Sequence, residues 1–284
     1  MFIIGQLQKL YINRFTPQGA YMISNLEDRE LEEFEEVLLP NRYLTEDMEV
    51  DTAVDVFIYH DSEDRIVATT DTPIIKVGEI AQLEVIDNSP YGVFLDWGLP
   101  KDLFLPFSNQ TFRPNVGDWC VVCAYVDDMS GRIVATMKLN KFISNTDVSD
   151  LNVADEVNIV LAEQNDYGFR CVIDNKHWGM VYTNQIFKEV YIGDMMKGYI
   201  SKITEENRVD VSLQPTGRRQ VEESSTTILK LLDKGNGVLY LGDKSSPEKI
   251  YDQTFLSKKM FKRGIGVLLK QGRIKIEDEK IELL

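Results

Sequence analysis

Two segments of the chain place planar side chains around a glycine at the same spacing. Residues 91–94 read Tyr-Gly-Val-Phe and supply two aromatic rings, and residues 167–170 read Tyr-Gly-Phe-Arg and add a guanidinium group. Exposed aromatic rings stack on unpaired nucleic-acid bases, and the planar guanidinium of arginine does so as well. The alternative is that these side chains only fill the core or the contacts between domains. Which of the two holds depends on the strands or helices that carry them.

The sequence carries no pattern that predicts catalysis or metal binding. Cys120 and Cys123 have a CxxC spacing, but the valines around them predict a buried strand, in which positions i and i+3 face opposite sides. No second pair of cysteines or histidines completes a zinc site. His60 lies in an acidic turn and His177 in a hairpin-like stretch, and we predict that both are solvated loop residues. We therefore expect a protein that is not an enzyme and uses no cofactor or metal.

A repeated pentapeptide indicates that the chain is built from copies of one module. Residues 65–69 and 132–136 both read Arg-Ile-Val-Ala-Thr, and residues 208–212 read Arg-Val-Asp-Val-Ser. Each copy follows an acidic turn. The copies also align at three upstream glycines, spaced by 73 and 76 residues: Gly19, Gly92 and Gly168. We predict that the repeat is the last strand of each module rather than a functional motif.

The modules read as short strands joined by turns. Segments such as 81–86 and 119–126 are rich in β-branched and aromatic residues and are bounded by glycine, aspartate or proline. Five strands in roughly 70 residues suit a small closed Greek-key barrel, because closure removes the exposed edges of so short a sheet. The acidic segment 26–38 interrupts the first module, and we interpret it as either a short inserted helix or an acidic loop.

The pattern changes from strands to helices after residue 217. Hydrophobic spacing and capping residues predict three helices, with a short strand after the first and a hairpin after the last. The helices are predicted at about 224–235, 247–253 and 255–270, the strand at 238–241, and the hairpin at 273–276 and 280–283. Three helices closed by a β-hairpin indicate a winged helix.

The residues around Gly92 resemble a known family. The pattern Tyr-Gly-x-Phe-hydrophobic-Asp at 91–96 resembles the S1 RNA-binding domain, an OB-fold barrel. The segment 92–103 is similar to the conserved virulence factor B family of bacterial RNA-binding proteins, which implies three S1-type domains followed by a winged helix over essentially the whole chain.

The expected fold is therefore mainly β with a C-terminal α+β domain. It consists of three consecutive five-stranded OB-fold (S1-like) barrels followed by a winged helix, and the short linkers between them predict a semi-rigid string of domains. The expected domains are residues 1–72, with the acidic insertion, 73–143 and 144–217 for the barrels and 218–284 for the winged helix.

The resemblance also implies which side chains contact RNA. An S1 domain presents two aromatic residues three apart and a histidine twelve residues further on. The corresponding residues are Tyr91, Phe94 and Pro106 in the second module, Tyr167, Arg170 and Tyr182 in the third, and Gln18, Tyr21 and Pro40 in the first. The glycines between the first two positions are expected to allow a bulge or tight bend that brings both side chains to one surface. The implied RNA-binding residues of the barrels are Tyr91, Phe94, Tyr167, Arg170 and Tyr182.

Charge is distributed unevenly along the chain. The net charge is −15, with −11 in residues 1–72 and +2 in residues 222–284, so contacts with a polyanion are expected in the second half. The first module is acidic and lacks one aromatic position, and we expect weak or no RNA binding by it. Four cations lie on the third predicted helix, where a winged helix usually places its nucleic-acid contacts: Lys258, Lys259, Lys262 and Arg263. An ordinary solvated helix face is the alternative.

These features predict a non-enzymatic protein that binds single-stranded RNA through the second and third barrels and the winged helix, with a post-transcriptional or gene-expression regulatory role. Duplex nucleic acid is a second expected partner, through the winged helix. A protein-interaction scaffold and a winged-helix transcription regulator, each with little RNA binding, stay open as alternatives. The chain lacks both a run of about 18 apolar residues and a basic leader, so we expect no membrane partner and a cytoplasmic location.

Overall fold

Three closed five-stranded barrels and a C-terminal domain of helices and a three-stranded sheet follow one another along the chain. The computed structural model describes them over residues 2–31, 33–186, 189–215 and 217–284. The predicted fold class, mainly β with a C-terminal α+β domain, is confirmed.

The three barrels have the same strand order. Barrel 1 consists of β1 (Leu7–Thr16), β2 (Gly19–Ile23), β3 (Val37–Pro40), β4 (Ala53–His60) and β5 (Ile66–Thr69). Barrel 2 consists of β6 (Ile80–Ser89), β7 (Gly92–Leu95), β8 (Leu103–Pro106), β9 (Trp119–Val126) and β10 (Ile133–Thr136). Barrel 3 consists of β11 (Glu156–Asn165), β12 (Gly168–Ile173), β13 (His177–Tyr182), β14 (Met195–Ile203) and β15 (Val209–Ser212). In each barrel the last strand pairs in parallel with the third strand and antiparallel with the fourth, which closes the sheet.

The last four residues of the repeated pentapeptide form the last strand of each barrel, as predicted. In the two identical copies the valine and alanine are buried. The hydroxyls of Thr69, Thr136 and Ser212, at the fifth position, each accept a hydrogen bond from the backbone N–H two residues later, at 2.9, 3.0 and 3.1 Å. A hydroxyl bonded in this way favours a turn, so the last residue of the repeat directs the chain out of the barrel.

Barrels 1 and 2 share a continuous apolar core. Phe57 and Tyr59 of β4 belong to the same buried cluster as Trp97 and Leu99 of barrel 2. Trp97 is only 3% exposed, and its ring meets Phe57 edge-on with the centroids 5.7 Å apart. Its Nε1 donates a hydrogen bond to the carbonyl oxygen of Lys101 at 2.6 Å. The predicted string of domains is thus a packed unit at this junction.

Barrels 2 and 3 are joined by a second apolar cluster. Ile80, Val121 and Cys123 of barrel 2 pack there with Trp178 of barrel 3, whereas Cys120 lies in the cluster shared with barrel 1. The two cysteines therefore face opposite sides of β9, as predicted. Burial raises the pKa of both thiols, to about 11 for Cys120 and about 12 for Cys123. Thiols with such pKa values supply little thiolate for nucleophilic chemistry near neutral pH.

The acidic segment of barrel 1 is a loop rather than an amphipathic helix. A 3-10 turn spans Leu26–Glu30, and the described residues after it lead into β3 without further helix. Leu31 and Phe34, which share one face of a hypothetical helix, are both exposed. Most of the stability of a short helix comes from packing its apolar face, and here that face packs on nothing, so a helix would not be stabilised.

The prediction that His177 is a solvated loop residue is wrong. His177 is the first residue of β13 and is buried. Its Nδ1 lies 3.1 Å from the carbonyl oxygen of Ser144, and its Nε2 lies 2.9 Å from a carboxylate oxygen of Asp150. Both partners belong to the connection between barrels 2 and 3, which folds over the start of β13.

The C-terminal domain has the predicted winged-helix elements. They are α1 (Gly217–Lys234), β16 (Val238–Leu239), α2 (Pro247–Thr254), α3 (Lys258–Lys270), β17 (Ile274–Ile276) and β18 (Ile281–Leu283). The third helix begins later than residue 255, because the Ser257 side chain caps it by accepting a hydrogen bond from the Met260 N–H. Phe255 instead ends α2 in a left-handed conformation, with φ of 56°. Within the described ranges, no helix is long and apolar enough to cross a membrane.

The seam between barrels 1 and 2 predicts a large effect of Trp97→Ala on stability. Removing this buried ring should lower the free energy of unfolding by about 3–5 kcal/mol, through lost apolar contact and the cavity left behind. Trp119→Ala is the matched control, because Trp119 is 56% exposed and should change the free energy by less than about 1 kcal/mol. Urea titration followed by circular dichroism measures both. Equal losses in the two variants would contradict the packing of Trp97.

Candidate nucleic-acid interface

A cavity of about 300 Å³ opens on barrel 2 where it meets barrel 1, and we call it the barrel 2 pocket. Tyr91 and Phe94 both line it, together with Phe104 of β8 and with Tyr59 and His60 of β4. Tyr91 is 77% exposed, whereas Phe94 is half-buried and packs on Phe104 with the ring centroids 5.2 Å apart. The structure therefore brings the two aromatic side chains of this module to one surface.

Gly92 places these rings through close strand contact rather than through a bulge. Gly92 pairs with Pro106 across β7 and β8, and a Cβ atom on it would lie 2.4 Å from the carbonyl oxygen of Leu105. The register shift lies in the neighbouring strand, between Val85 and Asp87 of β6. A glycine is required because the strands approach so closely that no side chain fits.

Barrel 1 neutralises two cations of the barrel 2 pocket. The carboxylate of Asp64 lies 3.1 Å from Nζ of Lys101 and 2.7 Å from a guanidinium nitrogen of Arg132. Lys101 also donates a hydrogen bond to the carbonyl oxygen of Asp61 at 2.7 Å. The pKa of Asp64 is lowered mainly by the hydrogen bond that Lys101 donates to it, so this carboxylate stays ionised between the two cations.

His60 lies in the pocket wall, and the prediction that it is a solvated turn residue is wrong. It is the last residue of β4 and is half-buried. Its Nδ1 is buried and has no hydrogen-bond partner among the described residues. Burial, followed by the positive charge of Lys101, lowers the pKa of the imidazole, so the ring is neutral near pH 7.

A second cavity, of about 630 Å³, occupies the equivalent place on barrel 3, and we call it the barrel 3 pocket. Tyr167, Arg170 and Tyr182 all line it, and Tyr167 is 73% exposed. Gly168 and Tyr182 are direct cross-strand partners, as are Gly92 and Pro106 in barrel 2. The positions aligned from the sequence are therefore structurally equivalent in the two barrels.

Arg170 makes contacts that the sequence did not suggest. Its guanidinium lies 3.5 Å from the centre of the Trp178 ring, which covers one of its faces. The same group donates hydrogen bonds to Glu163 at 3.2 Å and to Asn140, in the connection from barrel 2, at 3.0 Å. Arg170 thus contacts three partners in the pocket wall.

Two exposed cations of the barrel 3 pocket lack an ion pair among the described residues. Lys202 and Arg208 line the pocket, and neither forms an ion pair with any residue that the structure describes. The acid in this pocket is Asp210, which accepts a hydrogen bond from the Tyr182 hydroxyl at 3.3 Å. Its charge raises the pKa of Tyr182. Within the described residues, these two cations are therefore not ion-paired, whereas Lys101 and Arg132 of the barrel 2 pocket are.

The first residue of the repeat is a pocket residue that the sequence interpretation missed. Arg132 lines the barrel 2 pocket and Arg208 lines the barrel 3 pocket. The equivalent Arg65 of barrel 1 is paired with Asp61 and Glu63 at 2.7 and 2.9 Å. The repeat is thus both the closing strand and the source of one cation, and the recurring arginine was the available signal.

Barrel 1 covers its own aromatic position. The guanidinium of Arg14 lies 4.2 Å from the centre of the Tyr21 ring, and Glu36 holds it there through a 2.7 Å ion pair. The hydrogen bond from Arg14 is the main cause that lowers the pKa of Glu36. A cation therefore covers the Tyr21 ring, and weak or no RNA binding by barrel 1 stays a prediction.

The four cations of α3 differ in their surroundings. Lys258 is half-buried, whereas Lys259, Lys262 and Arg263 are exposed. Lys262 is paired with Asp243 at 2.9 Å. Among the residues that the structure describes, Lys259 and Arg263 have no ion-pair partner. The hairpin after α3 pairs its own charges, as Lys275 does with Glu277 at 3.1 Å.

Comparison with known proteins agrees with this architecture. Residues 4–71 match the model of the S1 domain, and residues 226–283 match the model described as CvfB-like winged helix domain. The resemblance to the conserved virulence factor B family is confirmed. These are binding domains of non-enzymatic kinds, and they support a role in nucleic-acid binding.

Sequence similarity to known proteins extends over most of the chain. The Uncharacterized protein YitL of Bacillus subtilis is 29% identical over 95% of this chain and 90% of its own length. The Conserved virulence factor B of Staphylococcus aureus (strain USA300) is 27% identical over 84% of this chain and 81% of its own. A solved multidomain protein with nucleic acid binding domains from Streptococcus pneumoniae is 19% identical, covers 99% of this chain and 98% of its own, and has a TM-score of 0.41.

Proposed function

We propose that the protein binds single-stranded RNA without catalysing a reaction, and that this binding serves post-transcriptional control of gene expression. The observation that carries the proposal is the pair of equivalent pockets on barrels 2 and 3. Each presents an exposed tyrosine, Tyr91 or Tyr167, next to arginine or lysine side chains.

Stacking supplies the first part of the binding energy. Tyr91 and Tyr167 each precede the second strand of their barrel and expose most of their surface. A base that stacks on such a ring gains about 1–3 kcal/mol, and every base has a face that can stack. Stacking therefore favours unpaired RNA over a duplex, in which the base faces are already occupied.

Phosphate contacts supply the second part. Lys202 and Arg208 of the barrel 3 pocket are exposed cations on the same surface as Tyr167 and Tyr182. Lys259 and Arg263 of α3 add exposed positive charge in the C-terminal domain. We assign α3 to nonspecific phosphate contact rather than duplex reading, because the wing beside it carries the acidic residues 277–279.

Replacing the exposed tyrosines tests the stacking surfaces. Tyr91→Ala and Tyr167→Ala should each weaken binding of a labelled pyrimidine-rich RNA by roughly 5- to 150-fold, the equivalent of one lost stacked base. Fluorescence anisotropy at fixed salt measures the change. Tyr191→Ala is the matched control, since Tyr191 is exposed but lines neither pocket. The proposal is wrong if the full chain shows no salt-sensitive RNA binding, a result that favours the protein-interaction scaffold.

The neutralised cations of the barrel 2 pocket predict a gain of affinity. Asp64→Asn should release Lys101 and Arg132 for phosphate contact, so RNA should bind several-fold more tightly and lose affinity more steeply as salt rises, by about 0.7 in the log–log slope for each new contact. Asp55→Asn removes the same charge from an exposed position of β4 and should leave the slope unchanged. A titration of affinity against salt concentration distinguishes them. Identical slopes for both variants would show that the Asp64 pairs do not limit binding.

The cations of α3 predict a loss of salt dependence. Lys259→Ala combined with Arg263→Ala should remove two phosphate contacts and flatten the log–log slope by about 1.4, with little change in sequence preference. Lys230→Ala combined with Lys234→Ala, on α1, removes equal charge as the control. A preference for duplex nucleic acid that only the α3 variant abolishes would instead favour the transcription-regulator alternative.

A further inference from the structure

The barrel 2 pocket has a wall that barrel 2 does not supply. Tyr59 and His60, the last two residues of β4, line it from barrel 1. Tyr59 packs edge-on against Trp97 with the ring centroids 6.4 Å apart, within the core that both barrels share. The packing of the seam therefore fixes the position of His60 at the pocket.

His60 presents a single ring nitrogen to the solvent. Its Nδ1 is buried without a partner, whereas its Nε2 is neither buried nor hydrogen-bonded within the described part of the chain. A neutral imidazole carries one N–H donor and one acceptor nitrogen. We assign the proton to Nε2, because an N–H there can reach a partner that enters the pocket, whereas an N–H on the buried Nδ1 would have none.

We propose that barrel 1 contributes His60 to the RNA site of barrel 2. A nucleotide whose base stacks on Tyr91 and Phe94 receives a hydrogen bond from His60 Nε2–H at one of its oxygen atoms. This inference rests on the proposed function. It gives barrel 1, the most acidic of the three, a part in RNA binding that its own covered Tyr21 does not provide.

The chemistry of the pocket favours a nucleotide as the occupant. Its volume of about 300 Å³ is at the lower end for small-ligand sites, which suits a single nucleotide. Aromatic rings line it from both barrels, whereas its two cations, Lys101 and Arg132, are already paired with Asp64. The neutral ring of His60 adds a directional donor without adding charge.

Two substitutions at His60 separate the hydrogen bond from the shape of the ring. His60→Phe keeps a planar ring and removes the donor, and should weaken binding of the labelled pyrimidine-rich RNA by roughly 3- to 10-fold. His60→Gln places an amide N–H near the position of Nε2 and should bind within about 2-fold of the unchanged protein. Ser62→Ala, an exposed position two residues further on, is the control and should have no effect. Thermal unfolding of each variant establishes that it is folded.

A double substitution tests whether His60 and the aromatic residues contact the same nucleotide. If they do, His60→Phe combined with Phe94→Ala should weaken binding less than the product of the two single losses. Losses that multiply, or a His60→Phe variant that binds as well as the unchanged protein, would overturn the inference. If Tyr91→Ala and Tyr167→Ala weaken binding while His60→Phe does not, the proposed function stands and only the role of His60 fails. If none of them matters, the proposed function itself fails.

Discussion

The apolar seam between barrels 1 and 2 is the interaction on which the barrel 2 pocket depends. Trp97 lies just after the end of β7, within the shared core, and its ring contacts Phe57 and Tyr59 of β4. Its Nε1 holds the carbonyl of Lys101, which positions the loop that carries this lysine. The seam thus brings the end of β4 and the acidic turn after it to the pocket of the neighbouring barrel. Small barrels bury little surface on their own, so sharing a core also supplies stability that none would have alone.

The barrel architecture could be predicted because its signals are local and repeated. The last strand recurs as a short β-branched segment that ends in a hydroxyl, and this hydroxyl accepts a hydrogen bond from the backbone N–H two residues later. The glycine before the second strand recurs because each barrel brings the second and third strands into close contact there. Gly19, Gly92 and Gly168 face Pro40, Pro106 and Tyr182, which are the positions aligned from sequence.

The site could be predicted only in part, because its other residues meet through tertiary packing. Asp64 contacts Lys101 and Arg132, which lie 37 and 68 residues further along the sequence. The hydrophobic periodicity of a sequence does not predict contacts over such separations. His60 looked like a turn residue since acidic residues follow it, yet β4 extends through it. The stacking of Arg170 on Trp178 is equally hidden, although both residues lie in the aligned segments. The arginine that recurs before each last strand is the sequence signal for the pocket cations Arg132 and Arg208.

The two pockets have the same geometry but differ in electrostatics. This difference bears on how a chain with a net negative charge could bind a polyanion. A net charge of −15 repels RNA at long range, but at physiological salt charges separated by more than about 8 Å are largely screened from one another. Local charge therefore decides, and it differs sharply between the barrels. Asp64 occupies both Lys101 and Arg132 in the barrel 2 pocket, while Lys202 and Arg208 in the barrel 3 pocket have no such partner within the described residues. Under the proposed function, the barrel 3 pocket would therefore make the first contact with the phosphate backbone, and the barrel 2 pocket would hold a base by stacking and hydrogen bonding.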